Sequence, residues 1–253
     1  MPRIVQITDC HLFADRRKLR GIATWPRFEA VLTEIRERFF DSEWLVVTGD
    51  TAHDEIEDTY AAFRKALGDL TEKLLLIPGN HDNREAMEKV FPECCVLAEG
   101  RLNFQHMPGD WQLIGLDSHI PGEVSGQLGE KQLVWLTDTL TQPAKPPTLI
   151  FIHHPPVRMN SRWLEVIGLA DGAQLLKTLE PYPHVKLVCC GHVHQESSTS
   201  TAGPVVLTTP AVGPQFRSRT DEMQLDPLPP ALRIIDLADD GTWSSQVVRV
   251  PMD

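Results

Sequence analysis

Leu74-Leu75-Leu76-Ile77-Pro78-Gly79-Asn80-His81-Asp82 decides how this chain folds. Four apolar residues in a row predict a short, buried strand. Proline and glycine end it, and glycine lets the backbone turn sharply and approach another group closely. An amide, an imidazole and a carboxylate follow, all able to bind metal or move protons. The ends of buried strands are where open α/β sheets keep their sites. Asn-His-Asp is equally ordinary turn chemistry, so the rest of the chain must decide between the two.

Upstream, the apolar run 4–7 closes at Thr8-Asp9-Cys10-His11, and the β-branched run 45–47 closes at Thr48-Gly49-Asp50, with His53 shortly after. Thr24 is placed to cap a helix starting near Pro26, which puts Phe28, Val31, Leu32, Ile35 and Phe39 on one face. A second helix runs through Tyr60, Phe63 and Leu67. Strand, loop and helix thus alternate from the start of the chain to Asp82, the rhythm of parallel βαβ units.

Downstream, residues 102–106 and 111–116 predict neighbouring strands around a Pro108-Gly109 turn, followed by Asp117-Ser118-His119. Leu133, Leu136 and Leu140 mark a helix. The run 149–152 closes at His153-His154-Pro155-Pro156. A helix through Leu175, Leu176 and Leu179 leads to the run 185–190, which closes at Gly191-His192-Val193-His194. The last third is more antiparallel in character, with strand candidates at 205–207, 232–237 and 247–250. The stretch 210–231, rich in proline and polar residues, is either an ordered loop near the site or a mobile flap.

Composition limits the partners. The chain has 253 residues, 42% apolar and 23% charged, ordinary for a globular protein, and we read 1–253 as one domain. A formal charge of −11 argues against a nucleic-acid polymer gripped by a broad basic surface. It leaves room for a small phosphate ester, because bound cations reverse the local field. The five cysteines are odd in number and form no CxxC, so buried, reduced thiols are expected. The first residues run straight into a strand and no apolar run reaches membrane length. A cytoplasmic protein with no membrane partner follows. The charged residues between 15 and 20 read as a solvated face.

Asp9 with His11, Asp50, Asn80 with His81, His153 with His154, and His192 with His194 all stand just after apolar runs. Each alone is more often a cap, turn or core residue. The recurrence of one residue class at five strand ends is what points to a shared site. Two neighbouring cations need a bridging carboxylate and further imidazole and carboxylate ligands, a set that suits iron, manganese or zinc. Just past a glycine, His192 and His194 can each reach a different ion.

Asp-x-His, Gly-Asp, Gly-Asn-His-Asp, His-His-Pro and Gly-His-x-His, in this order, resemble the calcineurin-like metallophosphoesterases. Thr8-Asp9-Cys10-His11-Leu12-Phe13-Ala14-Asp15, Thr209-Pro210 with Gln215-Phe216, and the tail through Val248-Arg249-Val250 are similar to the class III 3',5'-cyclic-nucleotide phosphodiesterases. The resemblance implies an α/β fold, a four-layer αββα sandwich of two mixed β-sheets flanked by helices. It implies two divalent or trivalent transition-metal ions: Asp9, His11 and His194 on the first, Asn80, His153 and His192 on the second, and Asp50 across both. It gives His81 contact with the scissile phosphate and the leaving oxygen, and gives Asp82 the task of orienting His81. Asn80 also touches substrate, and His154 either supports a ligand or faces substrate. Cys10 replaces a small polar residue, which would change the redox sensitivity of the site. His53 either reaches the pocket or faces solvent.

The implied reaction is in-line hydrolysis of a 3',5'-cyclic nucleotide, cyclic AMP first, by a metal-activated hydroxide and without a covalent intermediate. Another small phosphodiester, such as a glycerophosphodiester or a nucleotide-linked headgroup, would use the same ligands. Trp25 or Phe216, if exposed in the pocket, would favour a nucleobase. A non-catalytic scaffold on this fold is the reading from a different class, and intact ligand motifs speak against it. A homodimer is expected because related enzymes often pair.

Overall fold

The computed structural model describes residues 2–252. In chain order the strands are β1 (Arg3–Ile7), β2 (Trp44–Thr48), β3 (Leu74–Ile77), β4 (Phe104–His106), β5 (Gln112–Leu116), β6 (Thr148–Ile152) and β7 (Val185–Cys190). They continue with β8 (Ser197–Ser200), β9 (Val205–Thr208), β10 (Gln215–Phe216), β11 (Leu225–Asp226), β12 (Ala231–Leu237) and β13 (Trp243–Arg249). The helices are α1 (Thr24–Arg38), α2 (Glu57–Leu67), α3 (Arg84–Val90), α4 (Gly129–Leu140), α5 (Arg162–Glu165) and α6 (Gly172–Leu179).

Two mixed sheets form, ordered β13-β12-β1-β2-β3 and β4-β5-β6-β7-β9-β8. The parallel trio β1-β2-β3 and the parallel run β5-β6-β7-β9 carry the site loops. Antiparallel strands complete both sheets. Side chains alternate across the first sheet: Val5, Ile7, Leu45, Val47, Leu74 and Leu76 pack under α1, α2 and α3, while Ile4, Val46, Leu75 and Ile77 face the second sheet. Both faces are therefore apolar, which is why these strands read as continuous hydrophobic runs. A third core joins the second sheet to α4 and α6 through Ile114, Ile150, Val188, Leu136 and Leu175. Helix, sheet, sheet, helix is the expected four-layer order, and it aligns the ends of β1, β2, β3, β6 and β7 along one rim.

Two local expectations need correction, one strand lacks a sequence signal, and one open choice closes. Thr24 is the first residue of α1 rather than its cap; Ala23 holds the cap position and the Thr24 hydroxyl is buried without a partner. The strand at Val205 pairs in parallel with β7, so the last third is only partly antiparallel. Its neighbour β8 is all serine and threonine, with no hydrophobic alternation to announce it. Between the two choices for 210–231, the ordered loop holds: β10 pairs with β11, and Val212 and Gly213 donate to the carbonyls of Thr8 and Asp9.

Candidate metal centre

Five of the expected ligands stand in left-handed backbone: Asp9 (φ 54°), His11 (47°), Asp50 (54°), His192 (69°) and His194 (53°). Such residues are uncommon outside glycine, and concentrations of them mark sites where surrounding structure enforces geometry. Strand-end hydrogen bonds enforce it here. Asp9 N donates to Gly49 O at 3.0 Å, and His11 N donates to Asp50 O at 2.8 Å. The loops also sit too close for side chains: a Cβ on Gly79 would lie 2.2 Å from Asp50 Oδ1, and one on Gly191 would lie 2.0 Å from Thr8 Oγ1.

The side chains form two groups with Asp50 between them. Asp9 Oδ1 lies 3.2 Å from His194 Nε2, and His11 Nε2 lies 3.1 Å from His194 Nε2 and 3.5 Å from Asp50 Oδ2. On the other side, Asn80 Oδ1 lies 3.3 Å from His153 Nε2 and 3.0 Å from His192 Nδ1, and His153 Nε2 lies 3.4 Å from Asp50 Oδ1. Each Asp50 oxygen thus faces one group. All of these residues are buried, none more than 8% exposed.

The donor set fits cations. His194 Nδ1 donates to Pro214 O at 2.6 Å, and His153 Nδ1 donates to Thr48 O at 2.7 Å. In the neutral rings both Nε2 atoms then carry lone pairs, aimed at carboxylate and amide oxygens that are also acceptors. His192 Nε2 is buried with no partner. A cluster of acceptors facing acceptors lacks positive charge at its centre, which metal ions supply, and the carbonyl-held imidazoles are the usual arrangement behind such ligands. Protonation shows the same deficit. Burial works to raise the Asp50 carboxyl, yet His153 outweighs it and holds Asp50 well below its ordinary range. Burial works to lower His153, yet the charge and hydrogen bond of Asp50 push it up to about 9. Burial, aided by His153, pushes His192 down to about 3.

Around this centre some expected roles change. His81 is half-buried beside His11, and its backbone N–H donates to Asp50 Oδ1 at 2.8 Å. Asp82 does not orient it. The Asp82 carboxylate accepts from the backbone N–H groups of Gly79, Thr51 and Ala52 and from the Tyr60 hydroxyl. It clamps the loops after β2 and β3 together, and burial, then Asp50, pushes its carboxyl up to about 7. His154 does not face substrate: it is fully buried, with Nε2 donating to Val124 O at 3.0 Å and Nδ1 accepting from Ser118 Oγ at 2.8 Å. His53 reaches the site, with Nδ1 3.0 Å from His11 Nδ1 and its ring stacked on His81 at 4.2 Å.

Cys10 is fully buried, and burial, then Asp9, raises its thiol well above the ordinary value, which disfavours the reactive thiolate. Trp25 is 2% exposed and its indole N–H donates to Phe13 O, so it packs rather than stacks on a base. Phe216 is half-buried and stacked on His194 at 4.2 Å. The sequence assigns the loop 117–126 to the substrate pocket but gives Asp117, Ser118 and His119 no separate tasks. Asp117 is tied to Arg84, while Ser118 holds His154. The signal was there, a polar triplet after a buried strand, but its pairing partner lies on α3.

Comparison with known proteins agrees with this geometry. The family model described as Calcineurin-like phosphoesterase matches residues 2–196. The chain is 34% identical over 249 residues to the 3',5'-cyclic adenosine monophosphate phosphodiesterase CpdA of Escherichia coli (strain K12), covering 98% of this chain and 90% of that one. It is also 34% identical over 249 residues to a 3',5'-cyclic-nucleotide phosphodiesterase of Nostoc sp., covering 98% and 92%. Among solved structures, a dimetal phosphatase from Danio rerio superposes with a TM-score of 0.68 at 14% identity, covering 99% of each chain. That last likeness is one of fold.

Proposed function

The chain belongs to the calcineurin-like phosphoesterase family, and from that premise we propose that residues 1–253 act as one metal-dependent phosphodiesterase domain that hydrolyses 3',5'-cyclic nucleotides, cyclic AMP first. The observation that carries this reading is the gathering of Asp9, His11, Asp50, Asn80, His153, His192 and His194 into two acceptor groups that share Asp50. Asp9, His11 and His194 would hold one ion and Asn80, His153 and His192 the other. Imidazole and carboxylate ligands suit iron, manganese or zinc. When bound, such ions supply Lewis acidity toward phosphate oxygens and water.

This chain's own residues supply the rest. Thr48 O and Pro214 O hold the His153 and His194 rings in the tautomer that turns Nε2 inward. Asn80 brings an amide oxygen that adds no charge. His81, at the open edge of the cluster, is placed to meet the scissile phosphate and pass a proton to the leaving oxygen. His53 steadies it by stacking, and burial, then His81, pushes His53 down to about 4, which leaves it uncharged near neutral pH. Free cysteines suit a reducing, cytoplasmic setting. No described helix is long and apolar enough to cross a membrane. Pairing of two copies belongs to the same reading and is measured by sedimentation.

The test is metal depletion followed by re-addition of iron, manganese or zinc, with cyclic AMP, a glycerophosphodiester and bis(p-nitrophenyl) phosphate as substrates. Metal-dependent turnover favouring cyclic AMP is expected. A preference for the glycerophosphodiester would move the substrate assignment, and metal-independent turnover would end the reading.

A further inference from the structure

A cavity of about 600 Å3 opens directly beside the metal cluster and shares Asn80 and His81 with it. That volume is in the range that holds a nucleotide-sized ligand. Its far wall comes from the loop after β5, including His119, and its rim carries Glu55, Glu85 and Glu123, all exposed. Arg84 is the one arginine or lysine among its described lining residues, and it is already spent. Its Nε donates to Asp117 Oδ2 at 2.6 Å and its Nη2 to Asp117 Oδ1 at 2.8 Å and His119 O at 2.6 Å. His119 is 7% exposed, and burial, then Arg84, pushes it down to about 4, so it brings no charge near neutral pH. The cavity is therefore net negative, although its neighbour is built to bind an anion.

We infer that this cavity receives the non-reacting part of the substrate and that Glu55, Glu85 and Glu123 make it select neutral or cationic groups over anionic ones. The inference rests on the reading that the adjoining cluster holds the phosphodiester. The two sites divide the work by charge. Cations in the cluster offset the single negative charge of the phosphodiester. A second phosphate or a carboxylate on the same molecule then meets three carboxylates with no free cation to answer them. A nucleobase fits: it is uncharged, and its exocyclic amino group offers hydrogens to carboxylates. Because the three glutamates are exposed, their effect is screened by salt and is a matter of a few-fold each.

The experiment uses two cyclic AMP derivatives that carry a terminal ammonium or a terminal carboxylate on the same tether at C8 of adenine. Each competes against hydrolysis of bis(p-nitrophenyl) phosphate by the metal-loaded enzyme, so the readout does not require that they be hydrolysed. The ammonium derivative is expected to compete about tenfold more tightly at low salt, a ratio that shrinks at high salt. In the Glu55→Gln, Glu85→Gln, Glu123→Gln triple variant the ratio is expected to fall toward one. Equal competition by the two derivatives in the unmodified enzyme, or a ratio unmoved in the triple variant, overturns the inference while leaving the metal reading intact. Absence of bis(p-nitrophenyl) phosphate hydrolysis under every metal condition brings down the metal reading and this inference with it.

Discussion

Two groups of three histidines flank Asp50, and they differ in what surrounds them. His11, His53 and His81 form the outward group, with two members half-buried and rings in contact with one another. His153, His154 and His192 form the inward group, all within 6% of complete burial. The inward rings are fixed by carbonyl, amide and hydroxyl partners from different loops, whereas the outward ones depend mainly on each other. The difference separates two tasks. On the proposed reading, a ring anchored through one nitrogen, as His153 is through Nδ1, keeps the other for an ion, and a ring with an open edge, as in His81, can meet substrate and exchange a proton.

Replacing Asp50, which both groups share, removes the distinction and is expected to have the largest effect. Asp50→Ala should lose at least about a thousandfold in metal-dependent turnover, together with bound metal measured by elemental analysis. His81→Ala sharpens the contrast. It should lose about a hundredfold in kcat, the range of a proton donor, while metal content stays near that of the unmodified protein. A matching loss of metal would place His81 with the ligands instead. His154→Ala tests the inward side: a buried ring with two hydrogen bonds is removed, so thermal unfolding should show a loss of about 2 kcal/mol, with kcat affected less than in His81→Ala. The smallest effect belongs to His53→Ala, about tenfold in metal affinity by titration, since it only supports His11 and His81.

Asp50 and Asp82 show where sequence reading stops. Both follow a buried strand and both lie next to residues of the site. One faces imidazoles and is held ionised; the other is wrapped by three backbone N–H groups and a tyrosine hydroxyl. Spacing along the chain does not distinguish them, because all the partners of Asp82 except Gly79 come from the loop after β2 and from α2. His154 is a similar case. It adjoins an expected ligand in sequence, but Ser118 and Val124, 36 and 30 residues upstream in the chain, take both its nitrogens. β8 escaped notice because an exposed edge strand of serine and threonine needs no apolar face.

By itself the sequence determined the strand runs, the loops that end them and the residue types those loops carry. These are local properties: apolar continuity follows from burial on both faces, and polar residues collect where a strand stops. The tertiary structure alone decided which polar side chains turn toward one another. That choice depends on sheet order, on left-handed turns held by bonds between loops, and on which donors are already used. None of these is a property of neighbouring residues, so a cluster of seven and the acidic cavity beside it exist only once the two sheets are stacked.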